Sequence, residues 1–354
     1  IRVKGPDAEA LTDYVITRDA TAIDPMRGKY VILCNERGGI LNDPVLLRIA
    51  EDEFWFSISD STLMQWIQGV NVGMDFDVEI DEIDVTPLQI QGPLSEDVMV
   101  DVVGDAVSDL PYYGLLAAEI GGAPVIVSQT GFSGEAGYEI YVQDAMENAE
   151  RVYDPVLASV KDHGGMAIAP GHHRRIAAGI LSWGQDMDHE TSPFQVNLGY
   201  HVRDDKEGDY IGKEALEAQK QQVEAGEYPF ALKLIGLKMA GEPIQDYATD
   251  FWLISDPDSG EEVGYITSPW WNPDLDTNIA LGFVPASTLQ AATDTPLNDE
   301  IYDEELDVEF AVHLPDEYAE TPGEPVYATV APVPFKESVN ASAREQEKLG
   351  IDIS

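Results

Sequence analysis

A single cysteine in 354 residues has no partner within the chain, so Cys34 excludes an intramolecular disulfide and points to a reducing compartment. It lies in the apolar run YVILC, where a small buried core residue is expected. Positive charge is also scarce: 20 basic against 66 acidic residues leave a formal net charge of −46, which repels nucleic acid and anionic membrane surfaces and excludes both as partners. No apolar run approaches the roughly 20 residues that span a bilayer, and a cytoplasmic protein is expected.

Several chemical signatures are missing as well. There is no GxxxxGK[ST] phosphate loop, and Gly131, Gly134 and Gly137 form GxxGxxG in place of the dinucleotide fingerprint. The run Asp274, Asp276, Asn278 starts like a calcium loop, but Ile279 stands where glycine is needed and Pro285 where the bidentate acid belongs, so a turn is expected. His172 and His173 are adjacent and face apart on a helix; with no CxxC or HExxH, no metal site is expected. The absence of GxSxG argues against a serine hydrolase.

The residues present describe a folded chain. A hydrophobic fraction of 44% and an aromatic fraction of 9% are ordinary for a globular protein, and the length implies two or three domains. Acid is spread over nearly every polar segment, including 77–84 and 299–307, with no single acidic tail. Such a surface suits molar salt, where the Debye length is about 3 Å and self-repulsion is screened, and it predicts an extreme halophile as the source. The chain opens on Ile1 inside the strand-like run IRVKG, which predicts a natural segment ahead of it.

Residues 1–150 alternate strands with short helices. IRVKG reads as a strand and PDAEALTDYVI as a helix; YVILCNERGGILNDPVLLRIAEDEFWFSIS reads as three strands with turns at 37–39 and 51–53. A helix over 61–69, a strand in VTPLQIQGP, a helix ending at Gly104, a hairpin turning on Gly121 and Gly122, and the strand GYEIYVQ follow. Helices over 149–164 and 170–183 come next, then EAQKQQVEAGEYPF as an exposed connection. From Ala231 the pattern becomes strands and turns, a β-barrel or sandwich, with a last helix over 338–349. The fold class is α+β: two α+β subdomains with antiparallel sheets over 1–230, and a C-terminal β-barrel domain over 231–354.

Aromatics and acids beside glycines recur in YVILCNERGGILND, FWFSISDS, TGFSGEAGYEIYV and GHHRRIAAGILSWGQDMDHETSPFQVNLGY. Together with QGP at 91–93, IGKEAL, VGYITSPWWNP and NIALGFVP, they resemble the glycine-cleavage T-protein superfamily of tetrahydrofolate-dependent transferases over nearly the whole chain. Within it, LNDPVLLRI and FWFSISDS are similar to the dimethylsulfoniopropionate demethylases, which move a methyl group from an onium centre to tetrahydrofolate. The resemblance implies a T-protein-like folate-binding fold. It places Asn42 and Asp43 at the catalytic position, Trp183, Phe132 and Tyr138 at the methyl donor, and Tyr30, Ser59, Asp60, Glu135 and Lys206 at the folate.

Two departures from the family pattern bear on function. T-proteins carry two aspartates after GGI, and the first, tied to catalysis, is here Asn42. An anion stabilises the iminium-like charge of aminomethyl transfer, whereas methyl transfer from an onium group discharges its cation and needs alignment and an aromatic wall. The second departure is Ala177, in RRIAAG, at the position of the family's pterin-gripping glutamate. Losing that paired contact costs about 2–4 kcal/mol of folate affinity unless Glu135 or Asp186 stands in.

Each of these residues also has a packing alternative. Trp183, Phe132, Tyr138 and Tyr30 are read equally as core aromatics, Asp186 and Asp188 as a solvated acidic face, Lys206 as solvent-exposed, and Trp270 and Trp271 as a barrel cap or a site wall. The expected function is a tetrahydrofolate-dependent methyltransferase acting on a sulfonium or methylated amine, a small-molecule donor. The alternatives are an aminomethyltransferase served by a lipoyl carrier protein and a non-catalytic folate-binding homologue.

Overall fold

Short alternating runs with a turn every few residues pair locally, and the first 81 residues form an antiparallel sheet. The computed structural model describes residues 1–58, 61–169, 171–246, 248, 250–298, 306–321 and 323–335. Its first strands are β1 (Arg2–Lys4), β2 (Arg27–Tyr30), β3 (Leu33–Cys34), β4 (Ile40–Asn42), β5 (Val45–Ala50), β6 (Glu53–Ser57) and β7 (Glu79–Asp81). The sheet order is β2-β5-β6-β1-β7, and β3 and β4 make a separate hairpin. Strand parity sorts the aromatics of FWF. Phe54 and Phe56 join the core under α1 (Ala8–Val15) and α2 (Leu63–Met74), while Trp55 meets Leu115, Ile126 and Tyr141 of the next sheet.

That second sheet contains β8 (Val85–Gln91), β9 (Leu115–Ile120), β10 (Ala123–Ser128) and β11 (Gly137–Gln143) in the order β8-β11-β10-β9. The β9–β10 hairpin turns on Gly121 and Gly122 at φ +60° and +74°, the conformation two-residue hairpins require. Helices α3 (Ser95–Val103) and α4 (Ala145–Asp162) cover its outer face through Val98, Met99, Val152 and Val156. Helix α4 begins four residues earlier than its periodicity predicts, because the Asp84 carboxylate accepts the Met146 N–H at 3.1 Å and caps the first turn.

The helix expected over 170–183 is much shorter. It is α5 (His172–Ala177), closed at Gly179 (φ +69°) by bonds from Gly179 N to Ile176 O (3.0 Å) and from Ile180 N to Arg175 O (2.8 Å), a Schellman turn. Trp183 therefore lies in a turn beyond the helix. The expected connection EAQKQQVEAGEYPF is instead helical up to Glu224 within α6 (Lys213–Glu224). It consists of strong helix formers with Lys–Glu pairs four residues apart, and it buries Leu216 and Val223.

The remaining strands are β12 (Leu232–Met239), β13 (Trp252–Ser255), β14 (Glu262–Asn272), β15 (Thr277–Pro285), β16 (Glu309–Val312) and β17 (Val326–Ala331), with α7 (Ala286–Ala292) after β15. They close in the order β12-β15-β14-β13-β16-β17, with β17 paired to β12, so the region is a barrel. Asp274 and Asp276 lie in the β14–β15 turn over 273–276, with Asp276 at φ +52°, while Asn278 is already part of β15. Alternation on β15 gives Ala280 and Val284 to the barrel interior. Ile279, Leu281 and Phe283 go to an outer core shared with Ile32, Cys34, Ile40, Ile176 and Leu216. This shared core joins the barrel wall to the β3–β4 hairpin and α5. Among the described residues no helix is long and apolar enough to cross a membrane. The expected helix over 338–349 lies outside them.

Candidate functional site

The site is organised around the NERGGILND hairpin. Asn35 Oδ1 accepts the N–H groups of Arg37 (2.9 Å) and Gly39 (3.0 Å), and its Nδ2 donates to His189 O (2.7 Å). Gly39 is required by this approach, since a Cβ there would stand 1.8 Å from the His189 carbonyl oxygen. Gly39→Ala is expected to cost about 1–3 kcal/mol by forcing the 188–191 turn away, read as a lowered denaturation midpoint. That turn is otherwise held by Ile40 N donating to Thr191 O at 3.0 Å.

Four of the residues singled out in the sequence meet here. The Trp183 indole donates to Ile40 O at 3.0 Å, fastening the half-buried ring to β4. Asn42, two residues on, is fully buried, whereas Asp43 keeps some exposure. Tyr30 Oη donates to Asp43 Oδ2 at 2.9 Å. Burial pushes the Asp43 carboxyl up to about 7, Asp186 adding to the rise while the Tyr30 hydroxyl and Arg175 oppose it. Tyr30, Trp183 and Trp270 border one apolar cluster, into which Ala177 is buried.

Trp270 stacks on His172, centroids 5.4 Å apart and planes at 25°, so this tryptophan of SPWWNP faces α5; Trp271 N–H donates to Ile244 O (2.7 Å). Burial, reinforced by Arg175, lowers His172 to about 4 and keeps it neutral near pH 7.

Other sequence expectations lead elsewhere. Tyr138 projects to the helix side of its sheet and is 3% exposed in the core with Val98 and Met99, a packing position. Its neighbour Glu139 faces the opposite side, bonded by Thr130 Oγ1 (2.5 Å) and Gln89 Nε2 (3.0 Å). Phe132 and Glu135 lie on the loop between β10 and β11, Phe132 exposed and Glu135 half-buried. Gln91 of QGP braces that loop, donating to Thr130 O (3.2 Å) and accepting from Ser133 Oγ (2.5 Å). Ser59 and Asp60 lie outside the described residues.

Lys206 requires a correction. Its ammonium donates to the carbonyls of Asp13 (2.5 Å), Ile16 (3.0 Å) and Arg18 (2.8 Å) and pairs with the Asp13 carboxylate (3.0 Å), leaving no donor for a cofactor tail. It is a brace for the end of α1. Lys206→Ala is expected to lose about 3–5 kcal/mol, because buried acceptors and a carboxylate lose their cation. Denaturant unfolding measures this, and folate affinity of the folded fraction should be unchanged.

Asp186 is likewise no solvated acid: it is fully buried against Arg175. Its oxygens accept from Arg175, the hydroxyls of Thr267 and Ser268 and the Ser182 N–H, so it does not replace the missing pterin glutamate. Asp188 is exposed, as a turn residue should be.

Sequence reasoning also missed a cationic group. His201 is fully buried between Tyr30 (5.0 Å, edge-on) and Tyr200 (4.4 Å). Burial holds it well below its usual value, and Arg18, Lys29 and Arg203 lower it further. Arg18 is itself buried and lies 5.8 Å over the Tyr200 ring, and Arg203 is held bidentately by the Asp205 carboxylate (3.0 and 2.7 Å). No group of three metal-ligating side chains occurs among the described residues.

The paired sheets are those of a known class: the chain belongs to the family described as the GCVT N-terminal domain, which matches residues 1–206. It is 34% identical over 290 residues, 81% of this chain and 75% of the relative, to dimethylsulfoniopropionate demethylase DmdA of Ruegeria pomeroyi. It is 32% identical over 292 residues, 80% and 75% of the two chains, to the aminomethyltransferase of Thermotoga maritima. The crystal structure of glycine cleavage system aminomethyltransferase T from Bartonella henselae has the same fold, with a TM-score of 0.76, 22% identity, and coverage of 95% of this chain and 83% of that one.

Proposed function

We propose that the protein is a tetrahydrofolate-dependent methyltransferase that takes a methyl group from a sulfonium or methylated ammonium compound. The observation that carries this reading is the end of β4. The residue at the family's catalytic position is neutral, buried Asn42, while Asp43, bonded to Tyr30, is the partly accessible acid beside it. A neutral amide does little for an iminium ion, which weighs against aminomethyl transfer. A half-buried indole fastened 3.0 Å from the Ile40 carbonyl suits an onium methyl group, at about 0.5–2 kcal/mol per ring.

The residues fit the cofactor's chemistry. Tyr30 offers an aromatic face to its rings, and the partly exposed Lys29 offers positive charge to its acidic tail in place of Lys206. When bound, tetrahydrofolate supplies the secondary amine nitrogen that accepts the methyl group. The donor would leave as a neutral thioether or amine, and the proton displaced from that nitrogen would need an acceptor. Asp43 is suited to take it: Tyr30 holds its Oδ2, and a value near 7 matches a base working at neutral pH. Trp183 and Tyr30 align the donor and exclude water.

The test is incubation in molar KCl with tetrahydrofolate and either dimethylsulfoniopropionate or a quaternary ammonium donor, following methyltetrahydrofolate. Glycine synthesis from methylenetetrahydrofolate, ammonia and a reduced lipoyl carrier, with no methyl transfer, would replace this reading by the aminomethyltransferase one. Ala177→Glu supplies a second expected outcome. An unpaired carboxylate in the apolar cluster lowers thermal stability without ligand, and tetrahydrofolate restores more stability to this variant than it adds to the parent protein.

A further inference from the structure

In a chain whose acids crowd the surface, Asp186 and Arg175 are 0% and 1% exposed as a pair. Burying two charges is costly unless the remaining donors and acceptors are met, and here, apart from the Arg175 Nε–H, they are met from three directions. The Arg175 guanidinium donates to Asp186 Oδ2 (2.5 Å), Ile180 O (3.2 Å), Gln185 Oε1 (3.2 Å) and Ser268 Oγ (2.8 Å), and meets His172 Nδ1 at 3.3 Å. Asp186 Oδ1 accepts the hydroxyls of Thr267 (2.6 Å) and Ser268 (2.5 Å), and Oδ2 accepts Ser182 N–H (2.9 Å). Gln185 Nε2 donates to Thr267 O at 3.1 Å.

Thr267 and Ser268 are consecutive residues of β14, and regular alternation would send them to opposite faces. The register of β14 against β15 shifts between Ile266 and Ser268, and this bulge lets both hydroxyls reach one carboxylate. The turn they grip is 182–186. Trp183 stands inside it, held on one side by Asp186 through Ser182 and on the other by its own bond to Ile40.

We propose that Arg175 and Asp186, with the Thr267–Ser268 bulge, are positioning residues that use the barrel wall to fix Trp183 over the β4 end. That Trp183 faces a methyl donor rests on the function proposed above; that the latch fixes its position does not. An apolar pair of similar volume would fill the same space, but it would remove the Asp186 bonds from the turn to β14 and leave Gln185 Nε2 to Thr267 O to hold it there.

The experiment labels the full chain with 5-fluorotryptophan in molar KCl and follows the Trp183 resonance, assigned with Trp183→Phe. Two variants are compared with the parent: Thr267→Val/Ser268→Ala, which leaves the ion pair and hence the fold in place, and Arg175→Met/Asp186→Leu, which removes both charges together. In each, the Trp183 resonance is expected to move and its indole proton to exchange about tenfold faster or more, as loss of a net hydrogen bond implies, while Trp55 and Trp252 keep parent values. Titration with tetramethylammonium is expected to shift the Trp183 resonance in the parent and to require about tenfold more cation in the variants. A parent resonance indifferent to tetramethylammonium would remove the onium reading, and the latch would then be judged by indole exchange alone. Parent-like position and exchange of Trp183 in folded Thr267→Val/Ser268→Ala would overturn the latch.

Discussion

Transferred from molar KCl to millimolar buffer, the protein is expected to lose its folded structure. The 46 net negative charges share 16512 Å² of surface, about 360 Å² each, a spacing of about 19 Å against a Debye length of about 3 Å at 1 M and 30 Å at 0.01 M. In high salt each charge is hidden from its neighbours; in dilute buffer each lies within reach of many. The surface ion pairs offer little opposition, since each is worth only about 0–1 kcal/mol and 66 acids compete for 20 bases. A total stability of about 5–15 kcal/mol does not survive such repulsion, so circular dichroism should show unfolding on dialysis and recovery on return to salt. A melting temperature unchanged between molar and tens of millimolar salt would show that the acid is a property of sequence without consequence for folding.

What the sequence reveals follows from the range of the interactions involved. The hairpin on Gly121 and Gly122, the alternation that splits FWF between two cores, and the barrel strands are written in neighbouring residues, and they are legible there. The end of α5 is written locally too, in Gly179, but the apolar periodicity running past it argues for a longer helix. Asp186 and Lys206 show the other limit. As residue types they belong on a surface; they are buried because their partners come from 81 and 82 residues later in one case, and about 190 earlier in the other. The choice between Tyr138 and Glu139 is a matter of strand parity. GYEIYV carries large side chains on both faces, so its pattern alone does not say which face meets the helices.

For the proposed methyl transfer, kcat/KM is expected to rise tenfold per pH unit below about 7 and level off above it, because Asp43 must be ionised to take the proton. Asp43→Asn is expected to lower the plateau by about 10²–10⁴ and to flatten the profile, the ordinary contribution of a positioned general base. His172, lowered to about 4, is already neutral where the rise nears its plateau and does not set the bend near 7. The same substitution should affect stability in the opposite direction. A carboxyl raised in the folded state disfavours folding once it ionises; the penalty is absent below about 4, grows as pH climbs, and is complete above about 7. Asparagine retains an oxygen for the Tyr30 hydroxyl but carries no charge, so Asp43→Asn should melt higher than the parent at pH 8 and nearly with it at pH 4, both in molar KCl. A variant that loses activity while gaining stability only above neutrality separates a base held in an unfavourable environment from a residue that merely supports the fold. A profile that stays sloped in Asp43→Asn would assign the proton to another group and leave Asp43 with Tyr30 as packing.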